Sequence, residues 1–156
     1  MPNHCLNRVT IWSEDQATIE NIKNIFEDES IFTHIIPEPD RPNMPLLTSD
    51  AHYGTKYGND GELPQYVEDG SSRYVFKSTG INDQRWYDWR LLNWDTKWDA
   101  YDVVVTDDDP EQLEIEFNTA WSPPEAICHA LREKYEDTVA ISWFFDEPGC
   151  EIAGYL

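Results

Sequence analysis

Along residues 5–12 the chain alternates, with Cys5, Asn7, Val9 and Ile11 on one face and Leu6, Arg8, Thr10 and Trp12 on the other. That period of two predicts a strand. Ser13 and Gln16 follow at the spacing of a capping box, which starts a helix. Ile19, Ile22, Ile25 and Phe26 then recur every three or four residues, so this helix carries one apolar stripe. From about Ser30 to Gly80 the periodicity lapses. Pro37, Pro39, Pro42, Pro45 and Pro64 interrupt it, together with Gly54, Gly58, Gly61, Gly70 and Gly80. A structureless stretch of that length is rare in a compact domain, so part of it is expected to be ordered or functional.

Ile81–Trp98 crowds in Trp86, Tyr87, Trp89, Leu91, Leu92, Trp94 and Trp98, read as a short helix and turn plugging one end of the core. Tyr101, Val103 and Val105 then alternate, and Asp107-Asp108-Asp109-Pro110 predicts a turn. Leu113, Ile115 and Phe117 alternate with Glu114 and Glu116, which completes a hairpin with one apolar and one acidic face. Ser122-Pro123-Pro124-Glu125 predicts a second helix, with Ser as N-cap, Pro at the first position and Glu closing the box. Ile127, Ala130, Leu131 and Tyr135 form its stripe. Val139, Ile141, Trp143 and Phe145 alternate as another strand, Asp146-Glu147-Pro148-Gly149 turns, and Cys150–Tyr155 is an optional last strand.

The predicted order is β-α-insertion-β-β-α-β, the split βαβ or ferredoxin-like α+β topology, with two helices on one face of an antiparallel sheet. The name describes topology; three scattered cysteines could not fill a four-thiolate cluster. Residues 1–156 are read as a single domain with an insertion at about 30–98, which suits a chain of 156 residues.

Charge narrows the function classes. The chain has 31 acidic and 11 basic residues, a net charge of −20 and a pI near 4.2. A phosphate backbone or an anionic membrane surface would be repelled, so neither direct nucleic acid nor membrane is an expected partner. The mean hydropathy of −0.65 would suit disorder, but 7 Trp, 8 Tyr and 6 Phe supply apolar area to bury. No apolar run of about 18 residues occurs, and Met1-Pro2-Asn3-His4-Cys5 lacks a secretory pattern. Cys5, Cys128 and Cys150 read as reduced thiols, so a cytoplasmic location is expected. Asp99–Leu156 holds 15 acidic and 2 basic residues, net −13, whereas Met1–Trp98 holds 16 and 9, net −7. The carboxylates therefore concentrate toward the C-terminus.

Several blocks carry a family resemblance. They are Pro2-Asn3-His4-Cys5 with Asn7-Arg8-Val9-Thr10, then Trp86-Tyr87 to Trp98, then Phe117-Asn118-Thr119-Ala120-Trp121-Ser122-Pro123-Pro124. The last is Trp143-Phe144-Phe145 leading to Glu147-Pro148-Gly149 and Ala153-Gly154-Tyr155. In these the chain resembles the YubB-like ferredoxin-like domain proteins of phages, plasmids and bacterial genomes. The resemblance leaves most of Ser30–Gly80 uncovered and departs at Asp95, where such proteins often carry Gly. It implies the fold and a mobile-element setting, and it assigns no catalytic residue.

Candidate chemistry is sparse. His4-Cys5 and Cys128-His129 contain zinc-ligand types, but neighbours on a strand face opposite sides and neighbours on a helix diverge by about 100°. Asp107-Asp108-Asp109 with Glu111 lacks the alternation of a calcium loop. No nucleophile elbow, HExxH helix or glycine-rich phosphate loop is present. Glu114 and Glu116 stand about 7 Å apart on one strand face, a separation usable across a sugar bond but ordinary for outward charges. Trp86, Trp89, Trp94, Trp98 and Trp121 could stack bases or sugars, or fill a core. No catalytic residue, cofactor or metal is expected.

Two functions remain on these residues. The first is a non-enzymatic acidic interaction protein of phage or mobile-element type. It would mimic DNA and occupy a basic nucleic-acid-binding surface of a host protein, such as a nuclease, restriction or CRISPR effector. Its candidate partner-binding residues are Asp107, Asp108, Asp109, Glu111, Glu114 and Glu116. Acidity that merely maintains solubility is the competing explanation. The second function is a small-ligand module or enzyme with a pocket between the 30–80 insertion and the Trp-rich segment, using His34, His52 or Tyr53.

Overall fold

The alternation at the start of the chain becomes β1 (His4–Trp12) in a computed structural model that describes residues 3–45 and 62–156. Then come α1 (Gln16–Phe26), α2 (Ile31–Ile35), a 3-10 turn at Arg41–Asn43, β2 (Gln65–Val67), β3 (Arg73–Val75) and α3 (Arg85–Trp94). The remainder is β4 (Tyr101–Asp109), β5 (Gln112–Ala120), α4 (Glu125–Lys134), β6 (Ala140–Glu147) and β7 (Ile152–Tyr155). The chain forms two compact units, one of Met1–Pro37 with Asn93–Leu156 and one of Glu38–Leu92.

In the first unit the sheet runs β4-β5-β1-β6-β7 and every pairing is antiparallel. Without the added edge strand β7, this is the ferredoxin-like order predicted from the sequence. β1 is central because its inward face is apolar over most of its length, with Cys5, Val9 and Ile11 fully buried. Leu113, Ile115 and Phe117 of β5 and Trp143 of β6 are buried beside them, under Ile19, Ile22 and Phe26 of α1 and Ile127 and Leu131 of α4. Phe117 sits at the centre, with ring centroids 5.7 Å from Phe26, 6.3 Å from Phe32 and 5.7 Å from Trp143. One polar side chain of β1 is accommodated there. Asn7 donates to Cys5 O (3.1 Å) and Thr119 Oγ1 (3.0 Å), and accepts from Trp143 Nε1 at 3.0 Å.

Four local expectations are corrected. Asp15, not Ser13, caps α1, accepting from Ala17 N at 3.1 Å, while Ser13 Oγ donates to Thr138 O. No capping box opens α4. Ser122 Oγ turns to Asp95 O, and the Asp95 carboxylate accepts from Ala126 N at 2.8 Å. Asp95 has φ +62°, a left-handed geometry in which glycine is favoured. The hairpin turn falls at Pro110–Glu111, so Asp107, Asp108 and Asp109 belong to β4. Likewise β6 runs through Asp146 and Glu147, the latter completely buried, and the turn starts only at Pro148.

The second unit is pinned by arginines. Arg85 donates to the Asp83 carboxylate (2.9 Å) and to the carbonyls of Met44 and Arg41. Arg41 and Arg90 lie over the Trp86 ring at 5.6 and 5.1 Å, and Arg90 is paired with Glu38 at 2.8 Å. Such stacking desolvates guanidinium groups at little cost because the ring face is negative. β2 and β3 form a small hairpin with Tyr66 against Tyr74.

Candidate functional site

Strand pairing separates the six candidate carboxylates. Asp107 stands opposite Glu114 and Asp109 opposite Gln112, so both point to the open face of the sheet. Asp108, one residue out of phase, points to the helix side, where Lys23 of α1 binds it at 2.7 Å. The Asp108 contact raises the Lys23 pKa. Glu116 is held by Arg8 across the β1–β5 pairing at 3.0 Å. Two of the six are thus neutralised by the chain itself. Asp107, Asp109, Glu111 and Glu114 have no ion-pair partner among the described residues.

Three of those four gather around an open groove of about 580 Å³ at the hairpin end of the sheet. Asp107, Asp109 and Glu111 line one side, and Glu14, Glu136 and Asp137 join them from the β1–α1 junction and the loop after α4. Backbone and hydroxyl contacts fix these three segments to one another. Ser13 N donates to Glu111 O at 3.0 Å, and Ser13 Oγ donates to Thr138 O. Trp12 forms the apolar wall and is 42% exposed. Its indole N–H donates to Gln112 Oε1 (2.8 Å), and Gln112 Nε2 donates to Asp107 Oδ2 (2.8 Å). This relay sets the amide orientation of Gln112 and holds the indole edge, leaving its face to the groove.

Six carboxylates and an indole line the groove with no Lys or Arg among them, a set that could hold a guanidinium or ammonium group. Sequence reading missed Trp12, Glu14, Glu136 and Asp137. They come from separate stretches and no spacing connects them to the hairpin. Of the charge on the two units, the first carries 22 acidic and 5 basic residues, net −17, and the second 9 and 6, net −3.

The remaining candidates scatter. Cys5 and Cys128 are buried, and burial pushes both thiols up to about 11. Next to them, His4 is exposed with Nδ1 2.6 Å from the Tyr101 hydroxyl, and His129 is exposed beside Glu125. No group of three or more His, Cys, Asp or Glu side chains suited to a metal occurs among the described residues. Trp89 and Trp94 are buried and Trp86 lies under arginines, whereas Trp98 and Trp121 are partly exposed. His34 pairs with Asp28 at 2.9 Å, and that contact lowers the Asp28 pKa. His52 and Tyr53 lie outside the described residues. No helix among the described residues is long and apolar enough to cross a membrane.

The family match falls almost entirely on the same unit. Residues 92–156 match the family described as a ferredoxin-like domain in Api92-like protein. The stretch covers β4 through β7 with α4, and so includes all six candidate carboxylates. The whole fold is similar to the crystal structure of a protein api92 from Yersinia pseudotuberculosis, with a TM-score of 0.60, covering 99% of this chain and 93% of that one. Identity is 9%, so this likeness concerns fold. No curated protein matches the chain.

Proposed function

We propose that the chain is a non-enzymatic acidic interaction protein that occupies a basic nucleic-acid-binding surface of a host defence protein. The mobile-element setting implied by the YubB-like resemblance and the cytoplasmic action expected from three reduced thiols are part of this reading. One observation carries it: Asp107, Asp109 and Glu111 have no ion-pair partner among the described residues and converge with Glu14, Glu136 and Asp137 on one open groove. Charges used only for solubility are better interspersed with opposite ones, as Glu116 and Asp108 are here. Same-face carboxylates on a strand repeat at about 7 Å, a spacing at which they present a continuous field to a basic partner.

The test is capture of host proteins on the immobilised chain at about 50 and 500 mM NaCl, followed by competition between the chain and duplex DNA for whatever is captured. Steep loss with salt, displacement of DNA, and abolition by Asp107→Lys with Asp109→Lys and Glu111→Lys are expected. Capture indifferent to salt and to those reversals overturns the reading.

A further inference from the structure

The register of the five strands lays out the face of the sheet opposite α1 and α4 as a grid. One row runs Val104–Glu116–Arg8–Phe144–Tyr155 across all five strands. The row nearer the hairpin runs Asp107–Glu114–Thr10–Ser142, and beyond it lies Asp109–Gln112–Trp12–Ala140. On the other side the row is Tyr101–Asn118–Leu6–Asp146–Ala153. Apart from Asp146, the acids of these rows gather on one side of β1. The β4–β5 half carries Asp107, Asp109, Glu114 and Glu116, together with Tyr101, Val104, Gln112 and Asn118. The β6–β7 half carries Ala140, Ser142, Phe144, Tyr155 and Ala153, with Asp146 as its acid. β1 is the boundary.

We propose that this open face docks a basic amphipathic helix of a partner protein, laid along β1 with its cationic flank over β5 and its apolar flank over β6. The proposal rests on the anionic docking reading above and gives its partner a shape. Size agrees. Leu6 to Trp12 spans about 20 Å at 3.3 Å per residue, the length of a helix of about 13 residues at 1.5 Å each. From β5 to β6 is about 10 Å, two strand spacings, close to the diameter of one helix with side chains.

Chemistry agrees as well. Phe144 and Tyr155 pack edge to face with centroids 5.4 Å apart, and Tyr155 is 73% exposed. Arg8, Thr10, Ser142, Phe144 and Tyr155 surround a depression of about 210 Å³ that can receive one apolar side chain. A DNA-like surface has no use for that aromatic half. Arg8 does not invite phosphate, since Glu116 already holds it. A second copy of the chain would bring another net −17 unit against the same carboxylates. A sheet with helices on one face and a helix on the other is also an ordinary layered arrangement.

The probes are three 14-residue peptides of equal positive charge: a Leu/Lys sequence with helical periodicity, its scramble without periodicity, and one in which Gly replaces Leu. Binding is measured by fluorescence anisotropy at about 100 mM NaCl, with circular dichroism of the mixtures. The periodic peptide is expected to bind at least tenfold more tightly than the other two and to gain helix on binding. Phe144→Ser or, at a side chain with no core contact to lose, Tyr155→Ser should reduce it to the level of the scramble. Neither change should alter the binding of the scramble. Equal affinity for all three peptides, or indifference to both substitutions, overturns the helix while leaving the anionic reading in place. No binding by any peptide overturns both. Self-association of the chain that is abolished by Tyr155→Ser identifies a second copy as the occupant and overturns the partner proposed.

Discussion

Replacing Asn7 by Leu tests the polar link at the centre of the sheet. The side chain is fully buried on β1 and makes three hydrogen bonds, to Cys5 O, Thr119 Oγ1 and Trp143 Nε1. Leucine has nearly the same shape and offers none of them. Trp143 Nε1–H is then left without an acceptor inside the core, which costs about 1–3 kcal/mol. Losing the two bonds donated by Asn7 costs about 1 kcal/mol each. Thr119 keeps its own bond to Ser122 O at 2.7 Å, so no second orphan arises there. The leucine methyls return about 1–2 kcal/mol through burial. The net expectation is destabilisation by about 2–3 kcal/mol, a fall in Tm of about 5–10 °C for a chain of this size. Urea denaturation of Asn7→Leu, Trp143→Phe and the double variant measures it. Removing the indole N–H should recover about 1–2 kcal/mol as a coupling between the two sites. A single-variant loss below about 0.5 kcal/mol, or no coupling in the cycle, refutes the account of the orphaned donor.

Three further outcomes are expected. The Cys150 thiol, together with the backbone N–H groups of Cys150 and Gly149 and the side chain of Asn3, holds the Glu147 carboxyl below its ordinary value of 4.5. Its stabilising contribution is therefore complete above that value and lost as pH falls through the lower folded one. The Tm advantage of the native chain over Glu147→Gln should be constant from pH 7 to about 5 and shrink below about 4; an advantage that grows on acidification contradicts the sign. A Cβ at residue 149 would collide with Asn3 Nδ2 and stand 2.8 Å from Glu147 Oε1. Gly149→Ala should cost about 1–3 kcal/mol by calorimetry, since Asn3 must abandon the buried carboxylate, and less where Asn3 is already Ala, the Glu147 contact being the part that remains. Finally, with −17 on the ferredoxin-like unit, raising NaCl from about 20 to 300 mM should raise Tm by several degrees as repulsion is screened. A Tm that falls instead would mean that attractive pairs outweigh the carboxylate field.

The architecture was legible because each of its parts is encoded by period. Residues 5–12 and 113–117 alternate, each with one buried face, and Ile19, Ile22 and Phe26 repeat as a helix does, so strand, helix and buried face follow locally. The order of those elements then leaves few topologies. The hairpin end was read less well. A run of three Asp and a Pro looks like a turn, but pairing with Gln112–Glu114 keeps Asp107–Asp109 extended and moves the turn to Pro110–Glu111. The two caps failed for a related reason. Ser13 and Ser122 suit N-caps by composition, yet Asp15 and Asp95 are nearer to the free N–H groups once the chain is folded.

The candidate site divides along the same line. Sequence alone determined the sign and the abundance of the charge, its concentration after Asp99, and which face of β5 carries Glu114 and Glu116. Only the tertiary structure decided which carboxylates remain uncompensated. Lys23 reaches Asp108 from a helix 85 residues away, and Arg8 reaches Glu116 across 108. It also decided that Glu14, Glu136 and Asp137 meet the hairpin beside Trp12. The physical reason is range. Periodicity and propensity act over neighbouring residues, whereas ion pairing and the shape of a groove depend on distance in space between segments with no local signal in common.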